Sequence, residues 1–483
     1  MIDIRPVGYV IGLLVATLGL TMLGPLLADL AAGNGHWPVF LESSVITIMA
    51  GALVAVACSN GVTSGGLSLR QTFLLTSLVW IALPAFGALP FVLGETQSSW
   101  TDAFFEAMSG ITTTGSTVLT GIQTLPEGIL LWRGILQWLG GIGIIVVAMV
   151  FLPELKVGGM QVFRSEAFDT MGKILPRAAE IASSISVVYV GLTFSCALAY
   201  SLTGMTPFDA TIHAMTTVST GGFANTDASF GMYGAGAHYV GSAFMFLAAL
   251  PFVRYIQLVG GSARPLLLDP QVRGFMIAIG VCVIAISLSL AYSTHGFAEI
   301  AFREALFNVV SIMSGTGYAS ADYMQWGPFC VTAFFFIGLI GGCAGSTACS
   351  VKVFRYQILF ASIGSQIRQI HAPHGVFQPR YQGRVVSEDI MNSVISFFVV
   401  FIVSIGIISV LLSMTGLDFI TSVSGAATAI ANVGPGLGNE IGPAGNFGGL
   451  NDTAKWILSF AMFMGRLELM VVLVLFTAAF WRS

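Results

Sequence analysis

The chain has 483 residues, 55% of them hydrophobic and only 9% charged, with a mean hydropathy of +0.87 and a formal net charge of −4. Soluble domains are roughly a quarter charged, so this composition excludes a soluble globular fold and places most of the chain in lipid. The small net charge gives no ground for a highly charged partner, and no nucleic-acid partner is expected.

Apolar runs of the roughly 20 residues needed to cross a bilayer recur from residue 8 to the end. The first two, 7–27 and 38–58, follow each other with no small-residue cleavage site between them, so both read as permanent helices of an N-terminal unit, residues 1–66. Cys58, Cys196, Cys282, Cys330, Cys343 and Cys349 lie in or beside apolar stretches without metal-ligand spacing, which predicts small core residues rather than disulfides or a zinc site.

The rest of the chain repeats one pattern four times, in residues 67–155, 156–265, 266–372 and 373–483: an apolar span, a short amphipathic stretch, a Ser/Thr/Gly-rich loop and a second span. The loops align as Thr112-Thr113-Thr114-Gly115, Ser219-Thr220-Gly221-Gly222, Ser314-Gly315-Thr316-Gly317 and Ala431-Asn432-Val433-Gly434, the last being the most degenerate. The short stretches before them, 101–111, 207–218, 298–313 and 417–430, are too short or too polar to cross, so each must enter and return. Asp102, Asp209, Glu299 and Asp418 near their starts suit the positive end of a helix dipole. Four negative C-terminal ends would then aim at the membrane centre and stabilise a partly dehydrated cation, and irregular backbone at that depth is tolerated where it lines a water-filled path. Small residues also serve as packing surfaces between membrane helices, but four loops at matching places, each after a half-helix, favour a pore. The expected fold is an all-α integral membrane protein of about ten transmembrane helices, with four helix–pore loop–helix repeats around one pore, preceded by two N-terminal helices.

Ten crossings put both termini on one side, and Lys/Arg asymmetry makes it the inner one. Arg5, Arg70, Lys156, Arg164, Lys173, Arg177, Arg264, Arg273, Lys352, Arg355, Arg368, Arg380 and Arg384 fall on that side, whereas the loop side holds mainly Arg133, Arg303 and Lys455. Glu95, Asp102, Glu106, Glu127, Asp209, Asp227, Glu304, Asp322, Glu440 and Asp452 also fall on the loop side; they read either as acids that enrich cations at an outer mouth or as ordinary solvated charges.

Two interruptions stand out in the apolar spans. Residues 341–350, Gly-Gly-Cys-Ala-Gly-Ser-Thr-Ala-Cys-Ser, lack bulky side chains in the middle of span 328–368, which predicts a broken helix with a loop inside the membrane. No Lys precedes Ser346 and no strand precedes the glycines, so a phosphate-binding loop is not expected. Arg466 lies within span 456–480, where a charge costs at least about 2.5 kcal/mol. It reads as a cross-helix ion pair or as a charge facing the pore; Glu468, about 200° away on a helix, is a poor direct mate. His371 and His374 flank Pro373 without a third ligand, which points to a regulator-facing loop rather than a metal site. Arg254 and Gln257 are expected to snorkel to the inner surface.

The ordered set Trp132-Arg133, Gln137 with Trp138-Leu139-Gly140-Gly141-Ile142-Gly143, 219–223, 314–318, 341–347, 432–436 and Gly465-Arg466-Leu467-Glu468 resembles the Trk/Ktr superfamily of potassium transport proteins, closest to its TrkH/TrkG branch, over essentially the whole chain. The resemblance implies one pore per subunit and a potassium filter formed by Thr113, Thr114, Gly115; Thr220, Gly221, Gly222; Gly315, Thr316, Gly317; and Asn432, Val433, Gly434. It further implies a gate built from Gly341, Gly342, Gly345, Ser346, Thr347 and Arg466, a homodimer in the cell inner membrane, and a cytosolic nucleotide-binding ring subunit of the TrkA type. Potassium is then the substrate, and no cofactor is bound. The loop's continuation, Ala348-Cys349-Ser350, departs from the further glycines that the family often carries, which bears on its mobility. With one matched glycine per loop, fewer carbonyl layers are expected than in tetrameric potassium channels, and hence weaker rejection of sodium. The hydroxyls of Thr113, Thr114, Thr220 and Thr316 are expected to brace the loops rather than to bind the ion. The basic loops 156–177 and 368–384 are docking candidates for the cytosolic subunit, or for anionic lipid headgroups.

Three functions follow: regulated channel-like potassium uptake, symport of potassium with protons or sodium, and a scaffold whose repeats only pack. Few ionisable groups lie at midplane, which favours the first over the second. No catalytic constellation survives the topology, so no enzyme is expected.

Overall fold

The computed structural model describes residues 3–61, 67–146, 178–293 and 299–482. The basic residues Lys156, Arg164, Lys173 and Arg177, the boundaries near 66 and 155, and the expected half-helix start at residue 298 lie outside the described residues.

The described chain is helical almost throughout, because in a bilayer only a helix or a closed barrel satisfies every backbone group. Among the described residues seven helices are long and apolar enough to cross a membrane, and an eighth crossing arises if Ala235–Ala248 and Phe252–Val259, which meet at 93°, form one span. That bend sits at Pro251, whose ring removes a backbone donor. Two other spans are interrupted: Pro328–Gly338 is separated from Val353–His371, and Asp452–Arg466 from Met470–Leu475. The expected ten is reached when each of these is also counted once. Among the described residues the one sheet is a hairpin pairing Arg380–Tyr381 with Arg384–Val385, turning through Gln382 and Gly383, both at positive φ.

The two N-terminal helices, Arg5–Thr21 and Trp37–Cys58, cross at close range: a Cβ on Gly12 would lie 2.6 Å from the Ala55 amide nitrogen. Small residues at such a crossing replace the hydrophobic drive that lipid cannot supply.

Four short helices occupy the middle: Trp100–Ile111, Pro207–Val218, Glu299–Ser314 and Phe419–Ala431. Their last two turns are wholly or nearly buried, whereas a spanning helix such as Pro270–Ser293 leaves most of its apolar surface facing outward. The first begins one residue earlier than the sequence suggests and the second begins at Pro207 as expected. Ser99 and Thr206 cap them, each accepting a hydrogen bond at 3.1 Å from the amide of Asp102 or Asp209, which sit in the first turn. In return each acid accepts from the capping hydroxyl, Asp102 from Ser99 and Asp209 from Thr206, both at 2.9 Å. Asp418 caps the fourth itself, accepting from the Ile420 and Thr421 amides at 3.1 and 3.3 Å.

Candidate functional site: a ring of four loops and the loop beneath it

All four short helices end in the same way. One or two residues past the helix the chain turns left-handed, at Thr113, Thr220, Gly315 and Asn432 with φ +52°, +52°, +76° and +51°. The amide of that residue donates to the carbonyl three back (Gly110, Thr217, Ile312, Ala429), and the next amide donates to the carbonyl five back (Ser109, Thr216, Ser311, Thr428), all between 2.8 and 3.3 Å. This pair of bonds is the Schellman termination. Glycine and asparagine tolerate it; the β-branched Thr113 and Thr220 hold it at a cost of about 1–3 kcal/mol each, so the surroundings must impose it.

Two residues on, Gly115, Gly222, Gly317 and Gly434 turn left-handed again, at φ +88°, +77°, +83° and +109°. A Cβ on Gly115 would meet the carbonyl oxygen of Gly221, one on Gly222 that of Thr316, one on Gly317 that of Val433, and one on Gly434 that of Thr114, all at 2.8 Å or less. Each glycine therefore abuts the middle residue of the next loop in order, and the fourth returns to the first. The ring is closed by backbone alone and has no room for a side chain at any of the four places. The four glycines open onto a funnel of about 100 Å³.

The threonine hydroxyls are spent on bracing. Thr114 Oγ1 is 2.8 Å from Thr112 Oγ1 and accepts from Asn432 Nδ2 at 2.9 Å; Thr316 Oγ1 pairs with Ser314 Oγ at 2.7 Å; Thr220 Oγ1 donates to the Ser219 carbonyl at 2.7 Å. Ser116 Oγ ties the first loop to the fourth by donating to the Gly434 carbonyl at 2.8 Å.

Several braces come from side chains to which the sequence reading gave no site role. Gln137 donates from its side-chain amide to the Gly221 carbonyl and accepts from the Phe223 amide at 3.0 Å. Glu106 and Arg133 are not solvated mouth charges: both are buried, with Arg133 Nε 2.9 Å from Glu106 Oε1 and Arg133 Nη1 donating to the Ala224 carbonyl at 2.7 Å. Glu106 also accepts from the Val118 amide at 2.9 Å, so this pair fastens the descending limbs of loops one and two. Lys455 is likewise buried and lies 2.5 Å from Asp102. The acids expected to enrich cations are mostly committed to such tasks, and among the described residues Asp227 is the one carboxylate in the funnel lining, where it also holds the Gly121 amide at 2.9 Å. A polar or charged residue inside an apolar span was the available signal for Gln137, Glu106 and Arg133.

On the opposite side of the ring lies the small-residue stretch. Helix stops at Gly338 and resumes at Val353, and the chain between is mostly buried. Its backbone finds partners outside helices: the Gly341 amide donates to Val351 O at 2.9 Å, that of Cys343 to Ala249 O at 2.9 Å, and that of Ser350 to Ala431 O at 2.9 Å, while the Phe252 amide donates to Gly345 O at 2.9 Å. Side chains add two bonds, from Ser346 Oγ to Cys343 O at 2.6 Å and from Thr347 Oγ1 to Ala248 O at 3.0 Å. A Cβ on Gly342 would come within 2.9 Å of the Ala249 carbonyl, so the loop is seated on the 249–252 bend. Cys349 touches the ring, its Sγ 3.6 Å from Thr113 Oγ1.

Arg466 reaches this loop. Its Nη1 donates to Cys349 Sγ at 2.7 Å and to Thr347 O at 3.5 Å, and its Nη2 to Gly140 O at 3.2 Å. Among the described residues no carboxylate lies within ion-pair distance of it, so it does not fasten the bundle as one half of an ion pair. Glu468 pairs instead with Arg355, which is wholly buried under the Phe397 ring and is not an inner-surface loop charge. The expected continuous span over 456–480 ends at Arg466, because Glu468 and Leu469 both turn to positive φ. Arg254 does not snorkel freely; its Nε lies 2.8 Å from Asp269.

A polytopic helical membrane protein with four re-entrant half-helices converging on one backbone ring belongs to the transport class. Residues 36–483 match the family described as "TrkH: Cation transport protein", and the chain belongs to that family. It is thus a transport protein and not an enzyme, multi-pass in a lipid bilayer. It is 44% identical over 481 residues (99% of this chain, 97% of the relative) to the Trk system potassium uptake protein TrkI of Halomonas elongata. It is 33% identical to TrkG of Escherichia coli with 99% of each chain covered. The crystal structure of the potassium transporter TrkH from Vibrio parahaemolyticus superposes with a TM-score of 0.90 at 33% identity, over 100% of both chains.

Proposed function

We propose that this chain takes up potassium through the ring, with Thr113 to Gly115, Thr220 to Gly222, Gly315 to Gly317 and Asn432 to Gly434 as its filter. The observation that carries the reading is the cyclic contact of Gly115, Gly222, Gly317 and Gly434 with the neighbouring loops' carbonyls. Packing surfaces between helices do not require four left-handed glycines closing on one another; a carbonyl-lined constriction does. The negative ends of four half-helices, each worth about half a charge, favour a cation there. The potassium uptake named for the relatives supplies the ion.

In this reading each of the segments 67–155, 156–265, 266–372 and 373–483 contributes one loop. Gly341, Gly342, Gly345, Ser346 and Thr347 with Arg466 form the gate: they lie across the path on the inner side, and Arg466 adds a positive charge that opposes cation passage. The protein sits in the cell inner membrane with both termini in the cytoplasm, pairs as a homodimer, and is controlled by a cytosolic nucleotide-binding subunit of the TrkA type that docks at 156–177 and 368–384. The basic residues of those loops and the family membership support this.

The test is rubidium and sodium uptake into liposomes holding the purified chain, with and without a proton gradient, beside Gly317→Ser. Rubidium influx down its own gradient, with discrimination lost in the variant, is the expected result. Influx that demands the proton gradient would replace the channel-like pathway by symport, and an unchanged ion preference in Gly317→Ser would overturn the filter.

A further inference from the structure

Beneath the ring is a small cavity of about 40 Å³ whose lining includes Ser346, Cys349, Lys352, Arg466 and Glu468. Lys352 is half-buried in this lining. It precedes the helix Val353–His371 with extended backbone, φ −61° and ψ 142°, and its Nζ folds back onto the Ala348 carbonyl inside the small-residue loop. The carboxylate of Glu468 is engaged by Arg355. Among the described residues, neither Lys352 nor Arg466 has a carboxylate within ion-pair distance.

Two such cations inside a membrane protein are costly without compensating charge. The compensation available is the same one that serves a permeating ion. Four half-helix C-termini, each equivalent to about −0.5 of a charge, amount to about two negative charges converging on the ring. A primary ammonium presents to carbonyl oxygens the unit positive charge that a dehydrated potassium ion presents.

We propose that Lys352 is a second tethered cation of the pathway: its ammonium, held by the Ala348 carbonyl, occupies the field and the oxygens that a potassium ion leaving the ring would use, and so sets the conductance of the resting protein alongside Arg466. This rests on the reading of the ring as the filter. Passage then requires the Lys352 side chain to swing off the loop, so any movement of residues 343–350 that removes the Ala348 carbonyl also removes the block.

The experiment is rubidium influx into liposomes holding the full chain with Lys352→Met, Lys352→Gln and Lys352→Arg, beside Gly317→Ser. Lys352→Gln can still donate to the Ala348 carbonyl and lacks only the charge, so it decides the matter if Lys352→Met folds poorly. Influx in the Gln and Met variants should rise on the order of tenfold, the effect of removing one charge roughly 10 Å from the ion at an effective dielectric constant of about 20. The Arg variant should stay much closer to the native rate. Native influx in Lys352→Gln, or equal influx in the Gln and Arg variants, would overturn the proposal while Gly317→Ser still loses ion discrimination. If Gly317→Ser keeps its discrimination, it is the filter reading that fails.

Discussion

Arg466 Nη1 donates to Cys349 Sγ at 2.7 Å, and the same sulfur lies 3.6 Å from Thr113 Oγ1 in the ring. One thiol thus stands between the ring and a buried guanidinium that has no carboxylate partner among the described residues. The guanidinium also joins its own helix to Gly140 of Glu127–Val146, and in the proposed reading its charge faces the ion path.

Arg466→Gln should therefore raise rubidium influx into liposomes, by about tenfold or more for one unit charge removed at short range in a medium of effective dielectric constant near 20. Protein yield and thermal stability should change little. A variant that loses stability with no gain in influx would assign Arg466 to packing instead.

Gly222→Ala places a methyl group against the Thr316 carbonyl at a backbone angle of +77°. The rubidium-to-sodium ratio should fall by about an order of magnitude, equivalent to roughly 1.4 kcal/mol of differential binding. Gly191→Ala is the control, since nothing lies within 4 Å of a Cβ there. Equal ratios in the two variants would argue against the ring as the selective element.

Arg133→Met leaves Glu106 buried without its cation, and breaking a buried pair in this way costs about 3–5 kcal/mol. The purified variant should unfold at a clearly lower temperature. Adding Glu106→Gln should recover part of the loss, because a neutral amide tolerates burial better than an unpaired carboxylate. A double variant as unstable as the single one would show that Arg133 acts through Ala224 and Phe223 rather than through the pair.

At the start of the fourth half-helix, the Asp418 carboxyl is held below its usual 3.8, first by the Thr421 side chain, against the opposing effect of burial, and further by the Thr421 and Ile420 amides. A depressed carboxyl contributes stability that is present above its unfolded value and lost as pH falls through its folded value. Thermal stability of the native chain should thus drop as the pH is taken below 3.8. Asp418→Ala should be about 1 kcal/mol less stable at neutral pH and should lack that part of the acid-dependent drop. A variant with the same acid profile would remove Asp418 from the account.

The sequence by itself determined what depends on local pattern and on composition. Residues 341–350, dense in small residues and glycines that stabilise a helix poorly, favour a broken helix, and the chain is indeed non-helical from 339 to 352. The four half-helices and their terminal glycines were legible because a positive φ at Gly115, Gly222, Gly317 and Gly434 demands glycine locally, whatever surrounds it. Tertiary structure alone decided the pairing of charges. Glu106 with Arg133, Asp102 with Lys455 and Arg355 with Glu468 join residues 27, 353 and 113 positions apart, and no periodicity encodes such distances. The break after Arg466 was hidden for a related reason. Residues 467–469 contain neither glycine nor proline, and the turn there is imposed by Arg355 holding Glu468 and by Arg466 reaching the loop under the ring. Ring closure belongs to the same class, since each glycine is fitted to a carbonyl of a different repeat, and contact across repeats exists only once the four half-helices have packed together.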